Sequence, residues 1–124
     1  MKNIGIIPAR MGSSRFPNKP MVSIHGIPMI GHCYFRALQC SILDEVYVAT
    51  CDKEIYDYIQ SVGGQGIMTS NVHERATERV AEALFKLEVQ NGSIYDNVVM
   101  IQGDEPLIYP EMISELLNPL ISEN

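Results

Sequence analysis

Asn3-Ile-Gly-Ile-Ile-Pro8 runs straight into Ala9-Arg-Met-Gly-Ser-Ser-Arg-Phe-Pro-Asn-Lys-Pro20. A short continuous apolar run bounded by turn residues reads as a buried strand, here ended by Pro8, and the Gly/Ser/Pro stretch behind it reads as a loop. The same alternation continues outward. Pro28 stands at the first position of a helix in which Ile30, Cys33, Tyr34, Ala37 and Leu38 recur at helical spacing. Residues 45–50 form the next strand, and Asp52 caps a helix carrying Ile55, Ile59 and Val62 on one face until Gly63-Gly64 stops it. A short strand spans 65–68. Val80, Ala83, Leu84 and Leu87 mark a further helix, with Thr77 as its cap, ending at Asn91-Gly92. Residues 97–101 form a strand, and a last helix over 111–118 ends at Pro119. His25-Gly26 reads as a hairpin turn. Strands and helices in alternation predict an α/β fold with a mainly parallel sheet.

The charge is divided unevenly along the chain. Lys2, Arg10, Arg15, Lys19 and Arg36 all precede Asp44, the first carboxylate, whereas the rest of the 124 residues carries four basic and fifteen acidic side chains. A net charge of −6 argues against nucleic acid as a partner, because such a binder needs a broad cationic face. A small, highly charged anion fits better. The length suits one domain, 1–124, and 46% hydrophobic residues can close one core. No apolar run is long enough to span a bilayer, and no signal segment is evident at the start, so the expectation is a soluble, cytoplasmic protein without membrane insertion. Cys33, Cys40 and Cys51 lack CxxC spacing, so reduced thiols are expected rather than a zinc site or disulfides.

Two stretches could carry chemistry. The loop after the first strand lacks both GxxxxGK[ST] and GxGxxG, so it has to be read from its own residues. Gly12 and Ser13 permit close backbone approach, and Arg10, Arg15 and Lys19 offer two guanidinium forks and one ammonium to a polyphosphate. The alternative is a solvated basic surface loop. Gln102-Gly-Asp-Glu-Pro106 follows a strand end, and Mg²⁺ on a nucleoside triphosphate needs only one or two protein carboxylates. Asp104 is the candidate ligand; the alternative is a solvated acidic turn. In an open parallel sheet both loops would face one crevice beyond the strands' carboxyl ends.

Read together, residues 6–20, Gly26-Ile-Pro-Met-Ile30, Val48-Ala-Thr-Cys-Asp52, His73-Glu-Arg-Ala-Thr-Glu-Arg79 and Gln102-Gly-Asp-Glu-Pro106 resemble, in this order, the 3-deoxy-manno-octulosonate cytidylyltransferase (CMP-Kdo synthetase) family, over the N-terminal half of its length. The resemblance implies a three-layer, Rossmann-like nucleotide-diphospho-sugar transferase fold, truncated here, that binds CTP and Mg²⁺. It further implies transfer of CMP to a 2-keto-3-deoxy sugar acid for lipopolysaccharide or capsule sugar activation, and a homodimer at full length. Carried over by position, Arg10, Arg15 and Lys19 hold the triphosphate and act in catalysis with Asp104, which ligates Mg²⁺. Pro8, Ala9, Gly12 and Ser13 approach the nucleotide, and Arg79 and Gln102 contact it. Arg75-Ala76 stands where the family usually has Ser-Gly. The alternatives are a relative acting on another sugar acid and a truncated, non-catalytic nucleotide-binding module.

Overall fold

The computed structural model describes residues 2–12, 19–71, 75–92 and 94–101. The elements in chain order are β1 (Asn3–Ala9), β2 (Ser23–Ile24), β3 (Ile27–Pro28), α1 (Met29–Leu38), β4 (Glu45–Thr50), α2 (Lys53–Ser61), β5 (Gly66–Met68), α3 (Ala76–Asn91) and β6 (Asn97–Met100), with a short 3-10 turn at Lys19–Met21. The expected acidic turn and the helix at 111–118 lie outside the described residues.

Four strands form a parallel sheet in the order β5-β4-β1-β6. β1 alternates its side chains between two cores. Ile4 and Ile6 join Ala49, Val80, Ala83, Leu87 and Tyr95 beneath α3. Ile7 and Ala9 join Ile30, Tyr34, Val48, Ile55 and Ile59 beneath α1 and α2. The result is three layers, α1 and α2 on one face and α3 on the other. Both faces of β1 are buried, which is why its sequence is a continuous apolar run without alternation. The successive crossovers move from β1 outward to β5 and then back to β6 on β1's other side. Neighbouring connections therefore diverge between β1 and β6, the switch point at which such sheets open a crevice.

Several boundaries differ from expectation, each for a physical reason. β1 continues through Pro8 to Ala9. Ile6 accepts from the Ile101 amide at 2.9 Å, so Pro8, two residues on, turns its missing N–H to the same side, past the end of β6, where no described ladder bond is lost. Pro28 precedes α1 rather than opening it, because it pairs with Ser23 in the β2–β3 hairpin. His25 and Gly26, at φ 53° and 82°, make the expected turn. At the end of α2, Gly63 takes φ 76° and the Gly64 amide reaches back to the Ile59 carbonyl at 2.8 Å, the glycine stop expected there. α3 starts two residues earlier than Thr77 would place it, at Ala76, with Arg75 as cap residue. The Arg75 amide donates to Glu78 Oε1 at 3.2 Å, so this one bond back across the first turn, and not a hydroxyl cap, sets the start. Cys33 and Cys40 are buried thiols and Cys51 is half-buried, all three unbridged.

Candidate functional site

β1 delivers Pro8, Ala9 and Arg10 to the carboxyl edge of the sheet, where the first turn of α3 meets them. A cleft of about 200 Å³ opens there, lined by Pro8, Ala9, Arg10, Arg75, Ala76 and Arg79. Three arginines thus line one small space beside a helix N-terminus, where the helix dipole also favours an anion. α3 carries no side-chain cap hydrogen bond, and arginine has no acceptor with which to make one. A larger groove of about 510 Å³ lies between β5, α2 and the far half of α3, lined by residues such as Met68, Phe85 and Val89. It holds none of the residues singled out from sequence, and its lining offers one cation, Lys86, where the smaller cleft gathers three.

The two walls of the cationic cleft are held differently. Arg10 is exposed at the end of β1. Arg79 is 3% exposed, and its Nη1 donates to Thr69 Oγ1 at 2.8 Å and to the Ser70 carbonyl at 3.3 Å. Ser70 in turn donates its amide to both oxygens of Glu82, at 3.0 and 3.1 Å. A buried guanidinium is tolerated only when it is hydrogen-bonded in this way. The Thr69 amide donates to the Thr50 carbonyl at 2.9 Å, tying the segment after β5 to the end of β4.

Asp52 sits at the N-cap position of α2, and its carbonyl accepts from the Tyr56 amide at 3.1 Å. Its carboxylate does not cap the helix. Asp52 Oδ2 instead accepts from the Met11 amide at 2.8 Å, and the Asp52 amide donates to Thr50 Oγ1 at 3.1 Å. The plain helix-cap role expected of Asp52 is therefore corrected: the side chain reaches across to the loop after β1.

Of the residues predicted for the site, Pro8, Ala9, Arg10 and Arg79 come together in the cleft. Gly12 is exposed, and among the described residues a Cβ placed on it would meet nothing within 4 Å. Lys19 is half-buried at the start of the 3-10 turn and is not among the residues lining the cleft. Ser13, Arg15, Gln102 and Asp104 lie outside the described residues. Sequence reading missed Asp52 as a loop anchor and Thr69 as a partner of Arg79. Asp52 was visible as a carboxylate after a strand, but a lone threonine after a three-residue strand carries no signal. Among the described residues no group of three or more His, Cys, Asp or Glu could hold a metal ion, and no helix is long and apolar enough to cross a membrane.

A family model described as cytidylyltransferase matches residues 4–124. The chain belongs to the cytidylyltransferase family. It is 44% identical over 126 aligned positions to a 3-deoxy-manno-octulosonate cytidylyltransferase of Thermodesulfovibrio yellowstonii, covering 100% of this chain and 49% of that protein. With the enzyme of the same name from Escherichia coli it shares 47% identity over 116 positions, 94% of this chain and 45% of the relative. A solved structure of CMP:2-keto-3-deoxy-manno-octonic acid synthetase complexed with CTP superposes with a TM-score of 0.90 at 43% identity, covering 98% of this chain and 48% of that one. The chain thus spans about half the length of the relatives it matches, and the expected family and α/β class both hold.

Proposed function

We propose that residues 1–124 form the CTP-binding domain of a cytidylyltransferase that transfers CMP from CTP to a 2-keto-3-deoxy sugar acid, with 3-deoxy-manno-octulosonate as the acceptor favoured by similarity. The observation that carries this reading is the convergence of Arg10, Arg75 and Arg79 on one cleft at the carboxyl edge of the sheet, in a chain 43% identical to a protein solved with CTP. In the reaction, the anomeric hydroxyl oxygen of the sugar acid attacks the α-phosphorus of CTP. The bond from that phosphorus to the bridging oxygen breaks, pyrophosphate leaves with the bond's electron pair, and the hydroxyl proton passes to solvent.

No nucleophilic side chain is required, since positioning and charge stabilisation lower the barrier. Arg10, Arg15 and Lys19 hold the triphosphate and meet the charge that develops on pyrophosphate. Pro8, Ala9, Gly12 and Ser13 bring backbone close to the nucleotide, which Arg79, fixed by Thr69, and Gln102 also contact. The cationic cleft suits the phosphates and not a bare metal, so Mg²⁺ would enter with the nucleotide, with Asp104 as its protein ligand. When bound, it would neutralise charge on the phosphate oxygens. The full-length protein would be a cytoplasmic homodimer.

Isothermal calorimetry with CTP and Mg²⁺, with UTP and GTP as competitors, tests the reading. Saturable binding that prefers CTP and weakens in Arg15→Ala and Asp104→Ala supports it. A folded protein that binds no nucleotide, or binds all three equally, refutes it. CTP binding followed by CMP transfer to a different sugar acid by the full-length protein would keep the nucleotide half and replace the acceptor.

A further inference from the structure

We propose that Asp52 is a positioning residue that sets the geometry of the nucleotide-binding loop by accepting the Met11 amide proton. The inference rests on the CTP reading above and assigns a role within it. Its motive is a misfit between place and partner. A carboxylate at the first position before a helix ordinarily bonds the amides of that helix's first turn. Asp52 occupies that position yet makes no cap bond, and its Oδ2 spends its acceptor capacity on an amide 41 residues away, at 2.8 Å, with the Cys51 thiol at 3.8 Å on the same oxygen.

The anchor is part of a longer chain of bonds. Met11 joins Asp52, the Asp52 amide joins Thr50 Oγ1 at 3.1 Å, the Thr50 carbonyl joins the Thr69 amide at 2.9 Å, and Thr69 Oγ1 joins Arg79 at 2.8 Å. Thr50, at the centre, is fully buried. This strut connects the loop that carries Arg10 to the helix that carries Arg79, the two walls of the cleft. A basic loop gains from such an anchor because fixing its first residues before the ligand arrives lowers the ordering cost of binding. A carboxylate near an anion site would by itself repel the ligand, so the hydrogen bond and not the charge is what favours an acceptor here. That separates the roles of the two properties of Asp52 by sign.

The test compares the parent protein with Asp52→Ala, which removes the acceptor, and Asp52→Asn, which keeps an acceptor oxygen and removes the charge. Two quantities are read: amide hydrogen exchange at Met11 in the free protein, and the Kd for CTP with Mg²⁺ by calorimetry. Asp52→Ala should speed exchange at Met11 and raise Kd about fivefold, the loss of one net hydrogen bond. Asp52→Asn should keep both close to the parent or bind CTP slightly more tightly. Should the alanine variant fail to fold, Asp52→Glu displaces the acceptor while keeping the charge, and the same loss is expected of it. A folded Asp52→Ala or Asp52→Glu with parental affinity would overturn the inference and leave the CTP reading intact. Equal losses in Asp52→Ala and Asp52→Asn would overturn it as well, because charge would then carry the effect. A parent protein that binds no CTP would overturn the reading itself and this role with it.

Discussion

Thr69→Val removes one hydroxyl from the strut without changing the side-chain shape, and its cost follows from the environment of Arg79. The hydroxyl oxygen accepts from a guanidinium that is 3% exposed, at 2.8 Å, and Thr69 itself is 7% exposed. A hydrogen bond to a charged donor contributes about 1.5–3 kcal/mol, and a buried donor left without its partner cannot recover that from water. Arg79 keeps its bond to the Ser70 carbonyl at 3.3 Å, so the lower end applies. The backbone bond from the Thr69 amide to Thr50 is untouched by the substitution.

The expected loss is therefore about 1.5 kcal/mol, which with a urea m-value of about 1.5 kcal/mol/M lowers the unfolding midpoint by about 1 M. The assay is equilibrium urea unfolding followed by far-UV circular dichroism and by tyrosine fluorescence, the latter because the chain has six tyrosines and no tryptophan. Coincident transitions with an unchanged m-value license the comparison. A midpoint equal to the parent's would mean that Arg79 is not held through Thr69, and the account of the buried wall would fall.

Arg10→Ala should behave in the opposite way: the side chain is exposed, so stability should stay within about 0.5 kcal/mol while the Kd for CTP rises about tenfold, read by calorimetry beside a thermal melt. Gly64→Ala should lower the melting temperature, since a Cβ there would meet Tyr34 Cε2 at 2.7 Å and Ile59 Cγ2 at 2.9 Å, an overpacking cost of about 1–3 kcal/mol. Burial, reinforced by Glu45, pushes the Tyr95 hydroxyl up to about 12. The unfolded chain releases that proton first, near pH 10, so the stabilisation is complete below about pH 10 and is lost as pH rises through 12. Urea midpoints between pH 9 and 11.5 should fall less steeply in Tyr95→Phe than in the parent; parallel slopes would reject the assignment.

The sequence was legible wherever a local pattern had a local cause. β1 could be read because both its faces are buried, and the ends of α2 and α3 because Gly63 and Gly92 take φ 76° and 66°. Reading failed where the deciding partner is far along the chain. Pro8 looks like a terminator until the short reach of β6 beside it is known, and Asp52 looks like a cap until Met11 comes within reach. Thr77 outranks Arg75 on cap preference, yet the bond from the Arg75 amide to Glu78 settles the helix start. In the cleft, Arg10 was legible as a charge in a turn-rich loop, and Arg79 only through the family resemblance. That one is exposed and the other is buried against Thr69 is a property of packing, which no spacing in the sequence encodes.

A chain of net charge −6 can still present a site for a polyanion, because the charges are sorted along the strands. Carboxylates gather where the parallel strands begin: Asp44 Oδ2 accepts from the Asn3 amide at 2.6 Å, Asp96 Oδ2 from the Lys2 amide at 2.6 Å, and Glu45 opens β4. Arg10, Arg75 and Arg79 gather where the strands finish. Strands of six or seven residues, as in β4 and β1, separate the two ends by about 20 Å at roughly 3.3 Å per residue. That distance exceeds two Debye lengths of about 8 Å at physiological salt. The acidic end is therefore screened from the cleft, and what a phosphate meets there is the local charge, three arginines against Glu78 in the first turn of α3 and Asp52. Asp52 is a carboxylate at the cationic end, and its bond to Met11 gives that charge a structural use beside the site.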